Sequence, residues 1–92
     1  MLQTMSKPPS LQLQSASQLA DHLRAFRKAR ALTQAQLGRL VGLDQTRIAK
    51  IERDPSRVSV ATLLQLLAVL RVRVVLQPVD KSSVVADRLS DW

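Results

Sequence analysis

The chain has 92 residues, enough for one domain of ordinary size and too few for two. Fourteen Lys and Arg stand against seven Asp and Glu, and the resulting net charge of +7 points to a polyanionic partner or an acidic surface. Cysteine is absent, which excludes disulfides, thiolate metal sites and cysteine nucleophiles and fits a reducing compartment. No apolar run approaches the roughly 20 residues that span a bilayer, and the opening MLQTMSKPPS lacks the basic-then-apolar order of a signal peptide, so the expected location is the cytoplasm, with no membrane partner.

Residues 1–14 contain Pro8 and Pro9 and show no helical period, and they read as a flexible arm in which Leu11 and Leu13 form at most a scrap of strand. The folded domain is expected over residues 15–77. Ser15 and Gln18 have the spacing of a capping box, so a first helix begins near Ala16. Its inward residues are Leu19, Ala20, Leu23 and Phe26, and Arg24, Lys28 and Arg30 face outward. Thr33 and Gln36 repeat the box and open a short second helix with a stripe of Leu37, Leu40 and Val41, which Gly42 ends. Asp44 is an N-cap for a third helix over residues 45–53, with Ile48 and Ile51 on one face.

Asp54, Pro55 and Ser56 interrupt the chain. Ser59 then caps a fourth helix, whose Val60, Leu63, Leu64, Leu67 and Leu70 are expected in the core. From Arg71 the pattern alternates at Val72, Val74 and Leu76, with Pro78 behind it, and reads as one strand. A lone strand leaves its backbone groups unpaired, so pairing with a second copy of the chain is expected, giving a homodimer. Residues 78–92 are polar, with no complete apolar face, and read as a mobile tail.

Two short helices joined by Gly42 and Leu43 make a helix-turn-helix. With Ile48 and Ile51 turned inward, Gln45, Thr46, Ala49, Lys50 and Arg53 take the opposite arc at about 100° per residue. Gln pairs bidentately with adenine, Lys reaches guanine O6 or N7, and Thr offers its methyl group to thymine. Gln45, Thr46, Arg47 and Lys50 are therefore the candidate base readers, and Gln34, Arg39 and Arg53 the candidate phosphate contacts. Charge position agrees: residues 24–57 carry nine basic and three acidic side chains, hence +6 of the total. The rival readings are a helical bundle with a merely wet polar face and an RNA-binding protein. Aromatic content of 2% disfavours the latter, because single-stranded RNA is gripped by aromatic stacking.

The run LTQAQLGRLVGLDQTRIAKIERD resembles the lambda-repressor-like, Xre-type helix-turn-helix family, and the likeness extends over residues 16–70. Within that family the chain is most similar to the HipB-type antitoxins, through Asp54-Pro55 after the third helix, the strand straight after the fourth, and a short tail ending in Trp92. The resemblance implies a mainly α fold, a lambda-repressor-like domain of four to five helices followed by one β-strand that pairs across a homodimer. It further implies binding to double-stranded operator DNA built as an inverted repeat, repression of the chain's own operon, a place on the nucleoid, and a complex with a HipA-like kinase toxin. The alternative is a regulator of the same type without a toxin. In this family the glutamate at Glu52 pairs with a first-helix arginine, here Arg27, and Glu52 is expected half-buried. Ala31 stands where many members have Gly, so a positive φ there costs about 1 kcal/mol.

On its own the end of the tail reads as a frayed terminus; the likeness to the HipB-type antitoxins implies instead that Leu89 and Trp92 anchor the toxin, a terminal Trp on a polar leash suiting a partner's pocket. His22, the only histidine, has no neighbouring ligand type and carries no metal or catalytic expectation. No phosphate loop, carboxylate pair or nucleophile-base spacing is present, so neither an enzyme nor a cofactor is expected.

Overall fold

Four α-helices follow one another along residues 10–79, the part of the chain that the computed structural model describes. They are α1 (Ala16–Ala29), α2 (Gln34–Val41), α3 (Gln45–Arg53) and α4 (Val60–Val69), with a 3-10 turn, Pro55–Arg57, before the last. Each helix starts on a side-chain cap that accepts an N–H otherwise left without an intrahelical partner. Ser15 accepts from Gln18, Thr33 from Gln36, Asp44 from Arg47 and Ser59 from Thr62. At Thr33 the capping box is reciprocal. At Ser15 the Gln18 carboxamide reaches one residue further back and accepts from the Gln14 N–H at 2.7 Å.

Three helices end in the left-handed region. Gly42 (φ 76°) closes α2, and two residues with a Cβ do the same work elsewhere, Ala31 (φ 56°) after α1 and Arg71 (φ 62°) after α4. Both make the paired bonds of a Schellman turn. Ala31 N–H donates to Lys28 at 2.9 Å and Leu32 N–H to Arg27 at 3.2 Å, while Arg71 N–H donates to Ala68 at 3.0 Å and Val72 N–H to Leu67 at 2.8 Å. The turn geometry overrides residue preference because it satisfies carbonyls that would otherwise be orphaned. Ala31→Gly is therefore expected to raise stability by about 1 kcal/mol, seen as an upward shift of the thermal midpoint, and an unchanged midpoint would refute the strain at this turn.

The core is built from every helix: Leu23 of α1, Leu37 of α2, Ile48 and Ile51 of α3, and Leu66, Leu67 and Leu70 of α4 and its cap. Each such side chain contributes about 1.5–3 kcal/mol on burial, so this cluster fixes how the helices cross. Three expected core residues lie outside it. Leu40 is 59% exposed, Val60 70% and Leu64 48%. In α4 the inward arc runs through Leu63, Leu66, Leu67 and Leu70, which leaves Val60 and Leu64 on the flank next to Leu67, beyond the edge of that arc; Leu66, not expected inside, is 2% exposed.

Among the described residues there is no strand. Residues 72–79 carry the expected alternation, but the single chain supplies no ladder for them. Val72 packs against the core, Val74 is 51% exposed and Leu76 91%, and Leu11 and Leu13 are exposed at the other end without pairing. A strand is defined by its partner, so the alternation alone cannot make one. Most of the arm 1–14 and of the tail 78–92, with Leu89 and Trp92, lies outside the described residues.

Candidate nucleic-acid interface

Helix α3 rests on α2 through an unusually close approach. A Cβ built on Gly38, mid-way along α2, would collide with the carbonyl oxygen of Leu43 in the turn, and would also press on Ile48 Cγ1 of α3 at 3.3 Å. The same Gly38 accepts the Leu43 N–H at 2.8 Å. This glycine lets the turn fold back tightly and so sets the angle at which α3 leaves α2. A helix-interior Gly costs about 1 kcal/mol relative to Ala, and that cost is the signal in the sequence that a backbone or side chain comes close.

A buried polar network locks the same angle from below. Glu52 of α3 is 3% exposed, deeper than the half-burial expected, because α1 packs across α3 and the 3-10 turn. Its Oε2 accepts from Arg27 Nε at 2.6 Å, and its Oε1 accepts from Arg27 Nη2 at 3.1 Å and from Gln34 Nε2 at 3.2 Å. Arg27 Nη1 donates to the Leu32 carbonyl at 2.9 Å. A bidentate arginine, a glutamine and a carboxylate thus tie α1, α2 and α3 at one point. No buried side-chain nitrogen or oxygen among the described residues lacks a partner.

Two assignments shift as a result. The Gln34 amide, expected on phosphate, is turned inward to Glu52. Arg24, expected to face solvent, donates from Nη2 to the Glu52 backbone carbonyl at 3.2 Å near the C-terminal end of α3, besides lying 3.6 Å from Asp21. A cation at that end also offsets the helix dipole. Arg24 sits three residues before Arg27, on the same flank of α1, which is the spacing that could have revealed it.

The outer arc of α3 presents Gln45, Thr46, Arg47, Lys50 and Arg53, all exposed, with Ala49 partly covered between them. None of these is acidic. Asp44 holds the start of the arc by accepting the Arg47 N–H at 2.8 Å. Towards the other end, Arg47, Lys50 and Arg53 line one groove together with Arg57, Ile51, Val58 and Asp54. Arg57 was not singled out in the sequence; the 3-10 turn brings it round to the end of α3. The one acid there, Asp54, accepts from the Ser56 hydroxyl and the Ser56 N–H, which, helped by Arg57 and against a small desolvation, holds its carboxyl below the ordinary carboxylate range. It stays ionised and braces the turn. Arg39 is exposed on the last turn of α2, outside this groove. The whole surface is suited to a polyanion with a readable edge, which is what a duplex major groove offers a helix.

A family model described as helix-turn-helix, HTH_3, matches residues 23–76. The chain belongs to that helix-turn-helix family. It carries the family's Xre-like DNA-binding fold, and the match takes in α2, the turn, α3, α4 and most of the segment after it. None of the curated proteins matches the sequence. Among solved structures the chain is similar to HipB in the HipB-O1-O2 complex, at 25% identity and a TM-score of 0.68 over 75% of this chain and 100% of that one. It is likewise similar to a HipB variant in an O2 20mer complex, at 25% identity and a TM-score of 0.70 over 78% and 100%. A third neighbour, from a HipA-HipB-O2-O3 complex, has 24% identity and a TM-score of 0.70 over 77% and 100%, and shows the shared fold alone. No described helix is long and apolar enough to cross a membrane, and no cluster of potential metal ligands is present among the described residues.

Proposed function

We infer that this protein is a homodimeric, sequence-specific repressor that binds double-stranded operator DNA and acts as the antitoxin of a HipA-like kinase toxin, repressing its own operon. The observation that carries the DNA reading is the outer arc of α3: amide, hydroxyl and cationic side chains without an acid, on a helix held by core packing on one face and by the Arg27–Glu52–Gln34 network on its flank. Gln45, Thr46, Arg47 and Lys50 read base edges. Arg39 and Arg53 hold phosphates, and Gln34 adds the N–H at the first turn of α2, which has no intrahelical partner. The antitoxin reading rests on the likeness to HipB, one of whose solved structures is a complex with HipA. In it Leu89 and Trp92 anchor the toxin, and a two-fold dimer matches an inverted-repeat operator.

Lys50→Ala or Gln45→Ala is expected to cost about 1–3 kcal/mol on the duplex upstream of the chain's own gene and far less on scrambled duplex. Arg39→Ala should instead weaken both duplexes alike and lower the salt slope by about 1. Fluorescence anisotropy at several salt concentrations reads all three variants, and equal losses for Lys50→Ala on the two duplexes would sink the base-reading role. A regulator without a toxin would give the same DNA results and no co-purifying kinase.

A further inference from the structure

Residues 24–57 hold three acids among nine cations, and the fold accounts for the charge of two of them. Glu52 is buried against Arg27. Asp44 caps α3 at its N-terminal end, where the helix dipole favours an anion. The third, Asp54, lies at the opposite end of α3, in the groove that Arg47, Lys50, Arg53 and Arg57 line. It is exposed, and both hydrogen bonds it accepts, from the Ser56 hydroxyl and the Ser56 N–H, go to Oδ1. Among the described residues Oδ2 accepts no hydrogen bond, and no cation stands within 4.0 Å of the carboxylate to pair with it.

The turn needs an oxygen at position 54 and does not need a charge. Asn caps and makes such a turn as readily as Asp, and the C-terminal end of a helix is where the dipole disfavours an anion. The charge acts instead on whatever enters the groove. Four cations converging on one groove attract any phosphate chain, and that attraction is the sequence-independent part of duplex binding. A carboxylate in their midst removes one unit of the positive charge that the chain meets, at a range where 0.1 M salt does not screen it. We propose that Asp54 is an affinity-limiting residue of the DNA interface: its carboxylate repels the phosphate backbone at the end of α3 and so keeps the cations of the groove from holding duplex of any sequence on charge alone. The inference rests on the duplex reading above and names the residue that holds down its charge-driven part.

Anisotropy titrations of the full chain with scrambled duplex, and with the duplex upstream of its own gene, test it over a range of salt. Asp54→Asn keeps the oxygen that Ser56 bonds and removes the charge. It is expected to lower the dissociation constant for scrambled duplex at least about threefold at 0.1 M salt, to steepen the salt slope by up to about 1, and to match the parent at high salt. Two controls separate the charge from its setting. Ser56→Ala loosens the turn and keeps the carboxylate, and Ala25→Lys adds one positive charge on the exposed side of α1; each should change the constants by less than about twofold. If Asp54→Asn binds scrambled duplex like the parent at every salt, or if Ser56→Ala tightens binding as much, the charge of Asp54 limits nothing. A loss confined to the upstream duplex would mean that the carboxylate accepts from a base, as aspartate can from cytosine N4, and would overturn the proposal equally. In all three cases the duplex reading survives. A parent chain that binds neither duplex at any salt overturns both.

Discussion

Arg27→Ala is expected to cost about 3–5 kcal/mol of folding stability, a large part of the roughly 5–15 kcal/mol that holds a small domain together. The reason is what stays behind. Glu52 would keep its carboxylate at 3% exposure with the Gln34 amide as its only remaining side-chain donor, and the Leu32 carbonyl would lose the Arg27 Nη1 donor. Glu52→Ala should cost a similar amount, because the guanidinium is then the uncompensated charge. Removing both partners for apolar groups of like volume, Arg27→Met with Glu52→Leu, should cost much less than the two single changes together, since no charge is left buried. Urea unfolding of the parent and the three variants reads the comparison. Should either single variant lose less than about 1 kcal/mol, the pair is not the brace described. Operator affinity offers a second readout: the double variant, folded but without the tie between α1, α2 and α3, is expected to bind more weakly than the parent although it removes no residue of the outer α3 arc.

Much of this architecture can be read from the sequence because it is written locally. Thr33 with Gln36, Asp44 and Ser59 name the helix starts, since a capping side chain bonds within three residues of itself. The inward pair Ile48 and Ile51 and the outward Gln45, Thr46 and Lys50 follow from helical period alone. What the sequence hides is set between elements. Leu40, Val60 and Leu64 look like core because they are apolar at workable spacing, but a helix of uniform hydrophobicity does not say which flank its neighbours occupy. Arg24 and Gln34 look like surface, and the crossing of α1 and α2 over the end of α3 turns them toward Glu52. Arg71 carries no sign of its left-handed φ, because the turn needs a backbone conformation and not a residue type. For residues 72–79 the alternation is legible and the strand is not, as pairing depends on a second set of backbone groups.

Gly38 is the position where a small change should have the most direct effect on how α3 is presented. Gly38→Ala improves helix propensity by about 1 kcal/mol, and on that ground alone it would stabilise α2. The added methyl meets the Leu43 carbonyl oxygen, which is backbone and cannot swing aside as a side chain would, and it presses on Ile48 Cγ1 as well. Overpacking of this kind costs about 1–3 kcal/mol and more against backbone, so a net loss of about 2 kcal/mol is expected, with Gly38→Val worse. Gly42→Ala makes the comparison informative. Nothing lies within 4 Å of a Cβ there, and the only penalty is the positive φ of 76°, about 1 kcal/mol. The two glycines should therefore also separate on DNA. Gly42→Ala, once folded, leaves the α2 to α3 contact untouched and should bind operator as the parent does. Gly38→Ala can relieve its clash only by moving the turn away from α2, which rotates Gln45, Thr46 and Lys50 relative to the phosphate contacts proposed for α2, and operator affinity should fall by more than stability explains. Thermal melts with anisotropy titrations well below the melting range distinguish the two effects. A Gly38→Ala protein that melts and binds like the parent would mean that the turn accommodates a methyl group, and that the angle of α3 is set by the core and the Glu52 network alone.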